Sequence, residues 1–103
     1  MDQNIINEGK TMAVVSYITV IGLLIAFLVN NSKNNAFTSY HIGQSVRVYL
    51  LGIANYVLAF LLPASLGFIT TLIGIGVLVL AILGIVNAIN GKAVPLPLIG
   101  TLG

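Results

Sequence analysis

In the stretch SYHIGQSVRVYL, Ser39 to Leu50, a histidine, a glutamine and an arginine follow one another at three-residue spacing, at His41, Gln44 and Arg47. Histidine is the side chain whose ordinary pKa lies nearest neutrality, so proton relays, general bases and metal sites often start from one. Each of those chemistries needs a partner. The only carboxylates in the 103 residues are Asp2 and Glu8, remote in sequence, and there is no cysteine to act as a nucleophile or thiolate ligand. No GxSxG, HExxH or phosphate-loop pattern occurs. The expectation is therefore a protein that is not an enzyme and holds neither a cofactor nor a metal. His41 reads first as an interfacial or hydrogen-bonding residue and second as a pH-sensitive group.

The surroundings of these residues set their solvent. Only 6% of the chain is charged and 58% is hydrophobic, with a mean hydropathy of +1.10, whereas a soluble domain carries roughly 25% charged residues. Too little polar surface remains to cover a water-facing exterior, so lipid must solvate most of the chain. Four cations, Lys10, Lys33, Arg47 and Lys92, stand against two acids. They are too few and too scattered for a nucleic-acid footprint, and binding to DNA or RNA is set aside. The start MDQNIINEGK places both acids ahead of its lysine, unlike a secretory signal peptide, and no cleavage is expected.

These patterns predict an all-α integral membrane protein, a single membrane domain over residues 1–103 with three transmembrane helices and a short amphipathic lead-in before the second. The first span covers about 11–29, long enough at ~1.5 Å per residue for a ~30 Å hydrocarbon core. It runs into NNSKNN, Asn30 to Asn35, whose amides and lysine favour a loop in water or headgroups. Residues 48–89 hold no formal charge, and Pro63 is the strong punctuator inside that run, which places a turn at Pro63 to Gly67. The second span must then reach back to cover about 42–62, with Ala36 to His41 as the lead-in and a bend at Gly43. A third span covers about 66–89 and stops at Asn90 and Gly91. The proline- and glycine-rich residues 92–103 read as an extended apolar tail.

Arg47 and Lys92 are expected to anchor at the interface. Three spans put the termini on opposite sides, and the count of three cations against one favours N-out, C-in. On a helical wheel His41, Gln44, Ser45, Val48, Gly52, Asn55 and Ala59 fall within about 60° of one direction. Polar side chains in lipid turn towards protein or a wet cavity, so His41, Gln44, Ser45 and Asn55 form the expected inward face. In the third span Gly67, Gly74, Ala81, Gly84 and Ala88 recur at three- and four-residue steps, a seam of small residues that lets another helix approach closely.

The order of features, with FTSYHIGQS (Phe37 to Ser45), IVNAINGK (Ile85 to Lys92) and PLPLIG (Pro95 to Gly100), resembles the small bacterial membrane proteins related to the import component of the chloroplast inner-envelope translocon. That resemblance implies a multi-pass protein of the bacterial inner membrane, related by ancestry to protein import, with His41, Gln44 and the tail as its marked positions.

Two functions are expected from these readings. One is a small helical scaffold or accessory subunit, packing its small-residue seams against itself or a larger membrane complex. The other is a homo-oligomeric channel or transport component lined by His41, Gln44 and Asn55. Membrane lipid is the surrounding partner in both.

Overall fold

Short polar side chains start three of the helices. The computed structural model describes residues Met1–Thr101 and consists of α1 (Gln3–Ile18), α2 (Val20–Lys33), α3 (Ala36–Leu61) and α4 (Gly67–Ile89), with one 3-10 turn at Ala64–Leu66. The Asp2 side chain accepts from the Asn4 N–H before α1. Thr19 Oγ1 accepts from Gly22 N–H at 3.0 Å before α2, and Asn35 Oδ1 from Thr38 N–H at 3.0 Å before α3. Each bond satisfies a donor that a helix start leaves unpaired. The described residues are helical throughout, with no strand among them.

The expected first span over 11–29 is not one helix. Thr19 leaves helical geometry at φ −148°, ψ 167°, inside a β-branched run from Ile18 to Ile21 that is a weak helix former. Its hydroxyl then caps the next helix. Gly22 lets α2 fold straight back, since a Cβ there would collide with the Val15 carbonyl oxygen. The result is a hairpin: Asn35, just past α2, donates from Nδ2 to the Ile5 carbonyl at 2.9 Å. At about 24 and 21 Å, α1 and α2 are each shorter than the ~30 Å hydrocarbon core. The apolar residues of 11–29 suffice in number for a span, but hydropathy does not register a capped break.

Helix α3 runs beside α1 in the same direction. Thr38 Oγ1 donates to the Gly9 carbonyl at 3.1 Å and Ser45 Oγ meets Ser16 Oγ at 2.7 Å, both across a separation of 29 residues. That constant offset sets Ile18 level with Arg47, and Val48–Leu61 carries α3 roughly 21 Å farther. The chain turns at Pro63, where Leu66 N–H donates to the Pro63 carbonyl at 2.9 Å, and α4 returns antiparallel. Asn55 Nδ2 donates to the Thr70 carbonyl at 3.0 Å, and farther along α4 Gly84 meets Tyr17. The expected lead-in and the bend at Gly43 are absent as separate features. Ala36 to His41 are the first turns of an unbroken α3, in which an internal glycine costs only about 1 kcal/mol.

Two helical stretches, Ala36–Leu61 and Ala64–Ile89, are long and apolar enough to cross a membrane, and only 17% and 11% of their most apolar windows are buried. A core helix of a water-soluble domain would be mostly buried. Three transmembrane helices are therefore replaced by two candidate spans and a half-length hairpin. The molecule measures 51 × 23 × 21 Å. One end is thick, holding α1, α2, the start of α3 and the close of α4. The other is the bare α3–α4 pair, with Tyr56, Phe60, Phe68 and Leu72 exposed.

Buried Ala13, Tyr17, Phe37, Val48, Leu80, Ala88, Leu96 and Ile99 form the core, all within the thick end or at its border. Gly91, at φ +70°, turns the chain out of α4, and the segment after it folds over the bundle with Leu96 and Ile99 inward. Leu102 and Gly103, the last residues of the expected tail, lie outside the described residues. Because α2 folds back on α1, the N-terminus, the asparagine-rich stretch and Lys92 share one end. The expected arrangement, in which three spans put the N-terminus opposite Lys92, is not the one the described residues adopt.

Candidate functional site

At the thick end a set of polar side chains is buried among the helices. Phe37, His41, Ser16 and Ser45 are fully buried, and Gln44 is 3% exposed. Helix periodicity brings His41, Gln44, Ser45 and Val48 onto the α3 face that meets α1 and the tail.

His41 is bonded at both ring nitrogens. Tyr17 Oη lies 2.7 Å from Nδ1 and the Lys92 carbonyl lies 2.8 Å from Nε2. A carbonyl only accepts, so the neutral ring with its proton on Nε2 satisfies both contacts, Nδ1 accepting from the tyrosine. The Tyr17 hydroxyl is then the donor of this pair, because an unprotonated Nδ1 can only accept. The rings of Tyr17, Phe37 and Tyr40 stand edge-on to the imidazole, with centroids 5.6, 4.7 and 5.4 Å away. The Tyr17 ring itself lies where a side chain on Gly84 would be. Four segments meet here: α4 supplies the space, α1 the phenol, α3 the imidazole and the tail the carbonyl.

One turn on, Gln44 grips the tail like a strand partner. Leu96 N–H donates to Oε1 at 3.0 Å, and Nε2 donates to the Gly100 carbonyl at 2.9 Å. The tail closes its own turn through Gly100 N–H to the Leu96 carbonyl at 3.0 Å. Gly100 is required there, because a Cβ would strike the Leu96 backbone. Ser45 donates to the His41 carbonyl at 2.8 Å and meets Ser16, which bonds the Ala13 carbonyl at 2.6 Å. Buried polar groups joined in this way hold neighbouring segments in one arrangement.

Sequence reasoning passed over Tyr17, Asn30 and Asn35. The stretch read as a loop is a built corner. Asn30 accepts the Asn35 N–H at 2.7 Å through Oδ1 and donates to Ser39 Oγ at 2.7 Å through Nδ2, while Asn34 takes the left-handed conformation at φ 51°. Asparagine tolerates that region and caps helices, a signal that was present in the repeated Asn-Asn pairs.

The remaining expected positions fall elsewhere. Asn55 is half-buried on the thin α3–α4 pair and its Oδ1 has no partner. Gly84 and Ala88 are buried, so this part of the small-residue seam is used within the chain. Gly74 faces Asn55, Ala81 borders the core, and Gly67 has no neighbouring atom where a Cβ would stand. The Arg47 guanidinium lies back along its helix against Gly43, and the Lys92 side chain is exposed although its carbonyl is engaged.

Chemically, the site fastens segments together. A path lined by His41, Gln44 and Asn55 does not correspond to this geometry, since the first two spend their hydrogen-bonding atoms inside the chain and the third lies on another part of α3. Among the described residues no group of three or more His, Cys, Asp or Glu side chains is placed to hold a metal ion. Beside the network, where α1 stops, an apolar crevice of about 410 Å³ opens between α3 and α4, bordered by Tyr17, Tyr49, Gly52, Gly74 and Val77.

Residues 8–102 match the model of the magnetosome magnetite crystal formation protein family. The chain belongs to that family. The match covers the hairpin from Glu8 onward, both long helices and all but the end of the tail, so the likeness to the chloroplast translocon import component is overturned, and with it the import-related role. FTSYHIGQS, IVNAINGK and PLPLIG are, in this magnetosome-family chain, the two sides of the tail clamp. They record how a short tail is packed, and say nothing of translocation. Neither the curated proteins nor the solved structures gave a match.

Proposed function

We propose that this chain is a non-catalytic integral component of the magnetosome membrane that takes part in forming the magnetite crystal. The family match over residues 8–102 carries the proposal, and the exposed apolar surface of the two long helices supports the membrane placement. Helices α3 and α4 cross the bilayer, and the α1–α2 hairpin enters and leaves through one face. Both described ends and the Asn30–Asn35 corner then lie on that face, with Pro63–Leu66 on the other.

The two faces differ in chemistry. The hairpin side presents exposed Asp2, Gln3, Asn7, Glu8, Asn31, Lys33 and Lys92, whereas the opposite turn presents Pro63, Ala64 and Ser65. Contacts with ions, mineral or other water-borne partners therefore belong to the hairpin side. The buried network keeps that side in one shape.

Deleting the gene in a magnetite-forming cell and sizing the crystals by electron microscopy tests the proposal. Altered crystal size or shape, restored by the intact chain and accompanied by its recovery in the magnetosome membrane fraction, is the expected result. Unchanged crystals, or a chain confined to other membranes, would refute it.

A further inference from the structure

We propose that the chain responds to membrane curvature, favouring bilayers in which the leaflet holding the α1–α2 hairpin is the convex one. The proposal rests on reading α3 and α4 as the two spans.

The reason is a mismatch in depth. The hairpin is tied to α3 at one fixed offset by Thr38 on Gly9 and Ser45 on Ser16. A side chain on Gly9 would collide with the side chains of Asn35 and Thr38, so the start of α3 packs directly on the α1 backbone and the hairpin cannot slide deeper. Its tip at Thr19 is level with the middle of α3, and the α3–α4 pair continues roughly 21 Å beyond it.

The surface of the hairpin agrees with insertion to that depth. Ile21, Leu24, Ile25 and Leu28 are exposed on α2, and the apolar run ends at Asn30 and Asn31. On α1 the exposed residues before Thr11 are polar, at Gln3, Asn4, Asn7 and Glu8. Apolar exposure thus covers the half of the hairpin nearest its tip, and amides and charges cover the half nearest water.

Four helices therefore pass through one leaflet and two through the other. With a helix about 10 Å across, the two extra cylinders add on the order of 160 Å² to one leaflet alone. A convex leaflet is stretched relative to its partner and accommodates that area, while a concave one is compressed by it. Differential fit to the two curvatures is what shifts a population between them. Hydrophobic mismatch sorts membrane proteins by thickness in the same way.

The test uses the full chain with Gln3→Cys, which introduces the only thiol, reconstituted into phosphatidylcholine vesicles separated by size. Flotation reports insertion, and an impermeant maleimide reports the fraction of chains whose hairpin side faces outward. In small vesicles the outer leaflet is strongly convex, and the outward fraction is expected to rise several-fold over that in large ones. Adding Leu24→Glu and Leu28→Glu, both on the exposed face of α2, should expel the hairpin from the leaflet and abolish the size dependence without preventing flotation. An outward fraction independent of vesicle size in chains that float would overturn the curvature proposal alone. Failure to float would overturn it together with the two-span reading.

Discussion

The phenol ring of Tyr17 in α1 occupies the space that a side chain on Gly84 in α4 would need. This close approach of ring to backbone is what brings Tyr17 Oη to 2.7 Å from His41. Gly84→Leu must push the ring aside and break that bond. Overfilling a packed core costs about 1–3 kcal/mol, and the lost hydrogen bond adds about 1 kcal/mol. Thermal unfolding in detergent should show a clearly lower midpoint for Gly84→Leu. Gly74→Leu, whose Cβ would meet Asn55 at an ordinary 3.6 Å, should fall less. Equal losses would show that Tyr17 does not depend on the glycine.

Gln44 holds the tail through a donor and an acceptor at once, and this makes its substitutions separable. Gln44→Leu leaves the Leu96 N–H and the Gly100 carbonyl without partners, at about 1–3 kcal/mol for each buried group. Gln44→Glu in its neutral form keeps an acceptor oxygen for Leu96 and offers an O–H to the Gly100 carbonyl. Hydrogen exchange at the Leu96 amide should speed up strongly in Gln44→Leu and little in Gln44→Glu. Unchanged exchange in the leucine variant would mean that burial of Leu96 and Ile99 holds the tail without the glutamine.

Much of this arrangement was legible in the sequence, and the unread parts share a cause. Helical character, the long apolar stretches and the clustering of His41, Gln44 and Ser45 on one side of a helix follow from periodicity, which survives into the fold because α3 is unbroken. The hairpin does not follow from it. Ile18 to Ile21 reads as more membrane span on any hydropathy scale, and one threonine hydroxyl with a glycine three residues later converts it into a turn. Tyr17 was missed because its role depends on Gly84 across the bundle, a relation that neither helix reveals alone. The family likeness failed for a related reason: in this chain its short motifs hold the residues that fasten the tail, and the match over residues 8–102 is to the magnetosome family.

The Tyr17–His41 pair can be weighed by a double-mutant cycle. Tyr17→Phe removes the hydroxyl and keeps the ring over Gly84, while His41→Ala removes the imidazole and opens a cavity between Phe37 and Tyr40. The single changes should cost about 1 and 2–4 kcal/mol. The double variant should be less destabilised than their sum by about 0.5–1.5 kcal/mol, the coupling of a direct contact. Strict additivity would show that the 2.7 Å approach carries no net energy. Fluorescence-monitored unfolding is a suitable readout, because the chain contains tyrosine and no tryptophan.

A last prediction concerns the turn that decides the topology. The absence of cysteine makes single-cysteine labelling direct. Gln3→Cys and Ala93→Cys should react with an impermeant maleimide from the same face of the membrane, Ser65→Cys from the opposite face, and Thr19→Cys from neither. Gly22 controls this pattern, since a larger residue there drives α2 away from the Val15 carbonyl. Opening the hairpin would join α1 and α2 into one helix of about 45 Å over residues 3–33, more than long enough to span. In Gly22→Leu a fraction of the Gln3→Cys label should therefore move to the face that carries Ser65, while the label at position 93 stays in place. If the N-terminal label does not move, the Asn35–Ile5 and Thr38–Gly9 bonds hold the hairpin closed without help from the glycine. A third span in a relative would then require changes at those contacts as well as at the turn.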